Sequence, residues 1–236
     1  IEHAETKGGY DALPESNAQT EDAYVISWTP MKLDIAAIQS LYGENMDYEV
    51  ADSHYTFDPN IPFAKTIWDA GSETDGDTLD FGGFSGDLLI DLRDGHSSTI
   101  PTSTWKMDEN LWIADGATIE NVISGSGNDT IKGNEVDNLL IAGSGNDTIY
   151  GYEGTDTFVV KIGDGVDEIM DYNDAEDILV LLNDSGGAIS ASDANLSIVE
   201  GDQSSLIKYY GEVVLELHEL EVDTLASLTI DDTFVV

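Results

Sequence analysis

The chain has 236 residues, and its 48 Asp and Glu residues against 8 Lys and Arg residues give a formal net charge of -40 at pH 7. Such a chain repels nucleic acid and anionic membrane surfaces, so neither is an expected partner. Hydrophobic residues make up 41%, too many for a disordered acidic tail, and the absence of cysteine excludes disulfides and thiolate metal sites.

The acidic excess has two explanations that predict different patterns. A halophilic or marine solvation shell would scatter acids over the surface, whereas bound metal ions require acids at fixed spacing beside glycines. No apolar run approaches the roughly 18 residues of a membrane span. The start at Ile1 carries neither the basic nor the hydrophobic region of a secretory signal, and it lacks Met, so we expect a processed product or a fragment.

The first predicted element is a helix at residues 29–43, "TPMKLDIAAIQSLYG", which follows an irregular polar segment at residues 1–28. Thr29 can cap this helix, Pro30 suits its first turn, and Gly43 ends it. The helix carries an apolar stripe of Met31, Ile35, Ile38 and Leu41. Because this spacing places the side chains on one face, we expect the stripe to pack into the core rather than to bind a partner.

Short strands and turns are predicted from Tyr55 onward. Apolar runs closed by Asp and Gly indicate strands at "FAKTIWDAG" (63–71), "DLLIDLRDG" (87–95) and "DILVLL" (177–182). The segment "SLIKYYGEVVLELHEL" (205–220) predicts a hairpin with its turn near Gly211 and Glu212. The tail "DDTFVV" is either an ordinary last strand or a terminal signal of acidic followed by apolar residues.

A nine-residue repeat occupies the middle of the chain. "ISGSGNDTI" at 123–131 returns eighteen residues later as "IAGSGNDTI" at 141–149. The units in frame are 124–132, 133–141, 142–150 and 151–159, with a fifth at 162–170 that is shifted by two residues. Their sixth positions are Asp129, Asn138, Asp147, Asp156 and Asp167. Their eighth positions are Ile131, Leu140, Ile149, Phe158 and Ile169.

This pattern resembles the calcium-binding RTX nonapeptide. Glycine lets backbone carbonyls turn toward an ion, aspartate supplies the hard oxygen that Ca²⁺ prefers, and the eighth residue builds a thin apolar core. Since two units make one coil, calcium would be shared by Asp129 with Asp147 and by Asn138 with Asp156. The ion at Asn138 would be weaker or absent, because that unit has lost its Asp. The competing explanation is a flexible loop, rich in Gly and Asp, that binds no calcium.

A second acidic cluster lies at residues 68–87, "WDAGSETDGDTLDFGGFSGD". It crowds four carboxylates between turn residues: Asp69, Asp75, Asp77 and Asp80. We expect a calcium loop here in preference to a merely solvated turn.

The flanking segments resemble the C-terminal half of the serralysins, secreted bacterial zinc endopeptidases of the metzincin group. The resemblance rests on "DIAAIQSLYG", "YTFDPNIPFAKTIWDAG", "DFGGFSGDLLIDLRDG" and "ATIEN". It implies a mainly β fold: a calcium-binding right-handed parallel β-roll (RTX) with flanking β-sandwich strands and one short N-terminal helix. Residues 1–45 would be the remnant or C-terminal end of a metzincin-like catalytic domain. Residues 46–236 would form the roll and sandwich, with the repeats at about 123–170 and a C-terminal secretion signal.

The resemblance also implies the calcium-binding residues. Those carried over from the family are Asp69, Gly71, Asp77, Thr118, Glu120, Gly125, Gly127 and Asp129. The later repeats add Gly143, Gly145, Asp147, Gly154, Asp156 and Asp167. Three extra residues between Asp69 and Asp77 shift the family's frame at that loop.

The zinc-binding half of a metzincin is largely missing from the sequence. There is no H-E-x-x-H motif, and His218-Glu219 only starts one, in a segment that predicts a strand. His3 is either the third zinc histidine of the family or an exposed histidine. Ile26 stands where the Met of the Met-turn is expected, and Trp28 directly follows Ser27, so the family's Tyr ligand is missing.

Two functions therefore remain open. The chain is the calcium-binding C-terminal part of a secreted zinc endopeptidase, or it is a non-catalytic secreted RTX module for export, calcium-triggered folding or surface attachment. Both imply several calcium ions, an extracellular location and export by type I secretion machinery. Zinc and a peptide or protein substrate are expected only with an upstream catalytic segment.

Overall fold

The computed structural model describes residues 31–42, 52–69, 76–200, 204–218 and 230–231. Its helix, α1, spans Lys32–Tyr42. The strands are β1 His54–Thr56, β2 Lys65–Ile67, β3 Thr78–Asp80, β4 Leu89–Asp91, β5 Ser97–Ser98, β6 Leu111–Ile113, β7 Asn121–Ile123, β8 Thr130–Lys132, β9 Leu139–Ile141, β10 Thr148–Tyr150, β11 Thr157–Lys161, β12 Asp167–Ile169, β13 Ile178–Leu182, β14 Leu196–Glu200, β15 Ser204–Tyr209 and β16 Glu212–His218.

The predicted helix is confirmed, and its N-terminus is closed by a side chain that the sequence pattern did not single out. The carboxylate of Asp34 accepts a hydrogen bond from the backbone N–H of Met31 at 3.2 Å, as the third residue of a capping box does. The expected capping residues Thr29 and Pro30 and the expected end at Gly43 lie outside the described residues.

The apolar stripe of the helix is only partly buried. Ile35 packs against the core, whereas Ile38 and Leu41 are 54% and 76% exposed. The expectation that the whole stripe packs into the core is therefore wrong for these two residues. The helix contacts the core through Ile35, and the face that carries Ile38 and Leu41 is turned toward solvent.

Two sheets form the body of the molecule. The first has the strand order β1-β3-β7-β9-β11-β13, and all of its neighbouring pairs are parallel. The second has the order β14-β15-β16-β12-β10-β8-β4. It is parallel from β16 to β4 and antiparallel between β14, β15 and β16. A small third sheet has the order β2-β6-β5. The chain alternates between the two large sheets, which is the parallel β-roll that the repeat predicts.

The strand register confirms that two nine-residue units make one coil. Ile131 pairs with Ile149, and Leu140 pairs with Phe158, eighteen residues apart in each case. Val122 also pairs with Leu140 at that interval. The coil pattern therefore begins one unit before the predicted repeats, at residues 115–123, where Thr118 and Glu120 stand in place of the second Gly and the Asp of the repeat.

The eighth positions of the repeats form the core between the sheets, as predicted. Ile131, Leu140, Ile149, Phe158 and Ile169 are fully buried and belong to one apolar cluster. This cluster joins the repeats to the earlier coils through Val122 and Leu79. Burial of these side chains is the main apolar stabilisation of a roll that is only two strands thick.

The predicted C-terminal hairpin is confirmed in β15 and β16. Its two-residue turn is Tyr210-Gly211, one residue earlier than expected, and both residues have positive φ (50° and 88°). Ile230 adds to the first sheet beside Leu179, and Asp231 N–H donates to the Leu179 carbonyl at 3.0 Å. The rest of the tail, residues 232–236, lies outside the described residues, as does the expected domain boundary at residue 45.

Candidate metal centre

One ladder of buried carboxylates runs along the loops that lead into the second sheet. Asp129, Asp147 and Asp167 are all buried. The Asp129 N–H donates to Asp147 Oδ1 at 2.7 Å, and the Asp147 N–H donates to Asp167 Oδ1 at 3.0 Å. The first member follows the same rule, since Leu88 N–H donates to Asp129 Oδ1 at 2.8 Å. Each carboxylate is therefore fixed by the backbone of the preceding coil.

A second ladder runs along the loops that lead into the first sheet. The Asp77 N–H donates to Glu120 Oε2 at 2.9 Å. The Asn138 N–H donates to Asp156 Oδ1 at 2.9 Å, and the Asp156 N–H donates to Asp177 Oδ1 at 3.0 Å. The sixth positions of successive coils thus stack at both edges of the roll. Asp129 is brought next to Asp147, and Asn138 next to Asp156, as the eighteen-residue interval requires.

Burial makes these ladders electrostatically costly without a cation. Loss of solvation raises the pKa of Glu120, Asp147, Asp156 and Asp167 to about 7. For Asp147, the neighbouring Asp167 and Asp129 carboxylates raise the pKa further. Burial also raises the pKa of Asp129 and Asp177. At neutral pH the folded ladders therefore hold carboxylates whose charge is only partly compensated.

Each ladder contains a buried carboxylate oxygen that accepts no hydrogen bond from the described residues: Asp147 Oδ2 in the first ladder and Glu120 Oε1 in the second. A buried carboxylate oxygen without a donor costs free energy, so such an atom calls for a proton, a water molecule or a cation. Hard anionic oxygens of this kind are what Ca²⁺ prefers.

Glycine is required where backbone carbonyls of one loop approach the next loop. A Cβ on Gly143 would lie 2.0 Å from the Gly125 carbonyl oxygen, and one on Gly145 would lie 2.0 Å from the Gly127 carbonyl oxygen. The backbone φ is positive at Gly143, Gly145 and Gly154. At Gly125 and Gly127 the requirement for glycine comes from lack of space rather than from φ. A Cβ on either residue would lie 2.4 Å from the backbone carbonyl group of Phe84 or Gly86, respectively. The carbonyl oxygens of these stacked loops are further potential ligands for a cation.

The degenerate unit replaces the carboxylate with a satisfied amide. Asn138 Oδ1 accepts from the Asn134 N–H at 2.9 Å. Its Nδ2 donates to the Glu120 carbonyl at 3.0 Å and to Asn134 Oδ1 at 3.0 Å. Every polar atom of this side chain has a hydrogen-bond partner. This agrees with the expectation that an ion at Asn138 would be bound more weakly or not at all.

The earliest acidic cluster contributes to the second ladder. Asp69 and Asp77 are buried. The charges of both carboxylates raise the pKa of Glu120, so these three predicted calcium residues lie close enough to interact electrostatically. Thr118 is half-buried two residues before Glu120. Asp80 turns elsewhere: it accepts from the Gly82 N–H at 2.9 Å and lies 3.1 Å from His54 Nε2. Gly71 and Asp75 lie outside the described residues.

Sequence reasoning missed a second set of side chains that ties the coils together. Asn146 N–H donates to Asn128 Oδ1 at 2.9 Å, and Val166 N–H donates to Asn146 Oδ1 at 2.8 Å. These bonds run in the opposite direction to those of the aspartates, so adjacent loops are clamped both ways. The signal was present in the Asn that both copies of "GSGND" carry. Asp177 was also missed, because its coil has no glycine motif.

The expected zinc residue His3 lies outside the described residues. His218, which begins an incomplete H-E-x-x-H, lies in strand β16 as predicted, so it cannot present the two-histidine face of a zinc-binding helix. In the part of the chain that the structure describes, no helix has both the length and the apolarity needed to cross a membrane.

Stacked glycine-aspartate loops at the edges of two parallel sheets define the class of this protein, a parallel β-roll built from nine-residue repeats. A family model described as "Peptidase M10 serralysin C terminal" matches residues 32–200. The chain belongs to this family, and the resemblance inferred from "DIAAIQSLYG" and "ATIEN" is confirmed.

Named relatives agree with the family. The chain is 38% identical over 138 residues to a serralysin of Proteus mirabilis, which covers 53% of this chain and 26% of that protein. It is 41% identical over 114 residues to serralysin C of Dickeya chrysanthemi, covering 43% and 22%. A serralysin of Photorhabdus laumondii is 37% identical over 138 residues, covering 53% and 27%. The matched part of the chain spans about a quarter of the length of these curated relatives.

Proposed function

We propose that this chain is the calcium-binding C-terminal portion of a secreted serralysin-like zinc endopeptidase, in which the roll folds when calcium is bound. The observation that carries the calcium assignment is the pair of carboxylate ladders. Asp147 and Glu120 each have a buried carboxylate oxygen that accepts no hydrogen bond from the described residues, and the pKa of each carboxyl group is raised to about 7. Family membership supports the assignment to a protease of serralysin type.

The residues present fit calcium. Asp129 and Asp147 would hold one ion together with the carbonyls of the glycine loops, and Asp147 and Asp167 the next. Bound calcium supplies positive charge that offsets repulsion between adjacent coils. The hydrogen bonds from each backbone N–H to the next carboxylate hold one oxygen of each group in place. The other oxygen of Asp147 is left for the ion.

Equilibrium dialysis with radioactive calcium tests this assignment. We expect several ions per chain, with dissociation constants in the range of about 10⁻⁴ to 10⁻³ M that suits an extracellular module. The matched comparison is the double variant Asp129→Asn, Asp147→Asn, which should bind fewer ions while retaining its apolar core. An unchanged number of ions in this variant would contradict the ladder sites.

Calcium-dependent folding would also suit export. A chain of charge -40 stays loose where calcium is scarce and folds in the millimolar calcium outside the cell. We propose type I secretion machinery as the export partner, with "DDTFVV" as part of its recognition signal, and an extracellular location. Deleting residues 231–236 should abolish export into the medium from a strain with this machinery, while the calcium-induced fold of the purified variant persists.

The alternative function is a non-catalytic secreted RTX module. Ile26 and Trp28 at the expected Met-turn favour this alternative, whereas family membership favours the protease. The genomic reading frame discriminates between them: H-E-x-x-H within about a dozen residues upstream of Ile1 supports the protease. The protease hypothesis further predicts casein hydrolysis by the full secreted product, blocked by a zinc chelator. A full product without zinc would support the module.

A further inference from the structure

A cluster of metal-ligating side chains lies outside the repeat loops, on the outer face of the second sheet. Strands β12 and β16 pair in parallel, with Glu168 opposite Glu216. His218 follows two residues after Glu216 on the same face. One ligand atom from each of the three residues lies within 4.8 Å of the others. None of them belongs to the carboxylate ladders.

The imidazole of His218 points its Nε2 atom into this cluster. The atom is shielded from solvent and has no hydrogen-bond partner among the described residues. It lies 3.4 Å from Glu168 Oε2 and 3.8 Å from Glu216 Oε1. In the described part of the chain, the His218 imidazole lies between the carboxylates of both glutamates and carries positive charge only when it is protonated. The cluster therefore has three potential ligands and little positive charge of its own.

The two separations that involve His218 suit a tetrahedral transition metal. With bonds of roughly 2.0 to 2.1 Å at tetrahedral angles, two ligands of Zn²⁺ are about 3.4 Å apart. The Glu168–His218 separation already has this value, and the Glu216–His218 separation exceeds it by a few tenths of an ångström. Ser204 Oγ donates to Glu216 Oε1 at 2.5 Å, which fixes this carboxylate as outer-shell partners of metal ligands do.

We propose that Glu168, Glu216 and His218 bind a divalent transition metal such as Zn²⁺, with a fourth position open to water. The imidazole nitrogen distinguishes this site from the all-oxygen loops that suit calcium. Since β12 is the last repeat strand and β16 belongs to the C-terminal hairpin, the ion cross-links the end of the roll to the hairpin. The site is independent of the catalytic zinc of the protease hypothesis.

Zinc titration of the full chain in millimolar calcium tests the proposal, because excess calcium occupies the ladders. Calorimetry should show a single zinc ion bound with a dissociation constant of about 10 µM or tighter. Co²⁺ in its place should give the visible absorption of a tetrahedral site. The variants His218→Gln and Glu168→Gln should each weaken zinc binding by about tenfold or more.

A histidine variant outside the cluster is the matched control. His54→Gln removes an exposed imidazole that pairs with Asp80 on the other sheet. This variant should retain the zinc affinity of the unaltered chain. Circular dichroism in calcium verifies that each variant folds, and Glu168→Gln, an exposed side chain, decides the question if His218→Gln does not fold. Unchanged zinc affinity in a folded variant of Glu168 or His218 would overturn the proposal. Failure of the unaltered chain to bind zinc would overturn it as well, without bearing on calcium.

Discussion

At the scale of single residues, the sixth position of the repeat carries either a carboxylate or a carboxamide, and the two groups differ in how their buried polar atoms are satisfied. Asp147 leaves one buried oxygen without a donor, whereas Asn138 satisfies all its polar atoms within the protein. We therefore expect the coil at Asp147 to depend on a bound cation and the coil at Asn138 to form without one. This contrast gives two reciprocal predictions.

Asp147→Asn should make the chain less dependent on calcium. The variant keeps an oxygen to accept from the Asp129 N–H but removes a buried charge beside Asp129 and Asp167. We expect more β signal than in the unaltered chain when EDTA is present, and a calcium midpoint shifted upward by about tenfold. Far-UV circular dichroism during calcium titration measures both. Glu153→Gln, an exposed acid in a neighbouring unit, is the control and should shift neither.

Asn138→Asp should have the opposite effect. The new oxygen would face the Glu120 carbonyl and Asn134 Oδ1, where the amide now donates two hydrogen bonds. We expect lower stability in EDTA by about 1 to 3 kcal/mol, because two acceptors lose their donor. Calcium should recover most of this loss. Urea unfolding in both conditions measures it, and an equal loss with and without calcium would show that no ion reaches this coil.

At the scale of the elements, the close stacking of loops predicts which glycines are indispensable. Gly145 and Gly186 both have positive φ, at 127° and 79°. A Cβ on Gly145 would overlap the Gly127 carbonyl at 2.0 Å, whereas a Cβ on Gly186 would meet nothing within 4 Å. Gly186→Ala should therefore cost about 1 to 2 kcal/mol from backbone strain alone. Gly145→Ala should cost about 2 kcal/mol more, or prevent folding. Urea unfolding in saturating calcium distinguishes these outcomes, and equal losses would contradict the stacking.

Much of this element structure could be predicted from the sequence. The nine-residue period predicted the strands, the coil length and the buried positions, because each unit repeats the same loop and the same short strand with one buried residue. The repeat pattern alone did not extend to the coil at residues 115–123, because Thr118 and Glu120 replace the second Gly and the Asp there; only the family resemblance pointed to these two residues. The exposure of Ile38 and Leu41 escaped too, because periodicity identifies an apolar face but not its neighbour.

At the scale of the whole molecule, we expect the two ladders to couple stability to protons as well as to calcium. Glu120, Asp147, Asp156 and Asp167 have pKa values of about 7 in the folded chain, against 4.5 for Glu and 3.8 for Asp ordinarily. The calcium-free folded state thus holds more protons than the unfolded state between these values. Its stability should fall as pH rises from about 4 through 7.

This linkage predicts that acid partly substitutes for calcium. In EDTA, the β signal should be larger at pH 5.5 than at pH 8, and in saturating calcium the order should reverse or vanish because protons compete with the ion. Circular dichroism at the two pH values, with and without calcium, checks the prediction. A calcium-free chain that is more structured at pH 8 would show that the ladders are not buried as described.

The central claim is that the roll forms because calcium offsets the charge of its stacked carboxylates. Circular dichroism of the unaltered chain at neutral pH tests this most directly, first in EDTA and then in millimolar Ca²⁺, with equal Mg²⁺ as control. We predict a β-poor spectrum in EDTA and in Mg²⁺, and a cooperative gain of β signal in Ca²⁺. An identical β spectrum in EDTA and in Ca²⁺ would contradict the account.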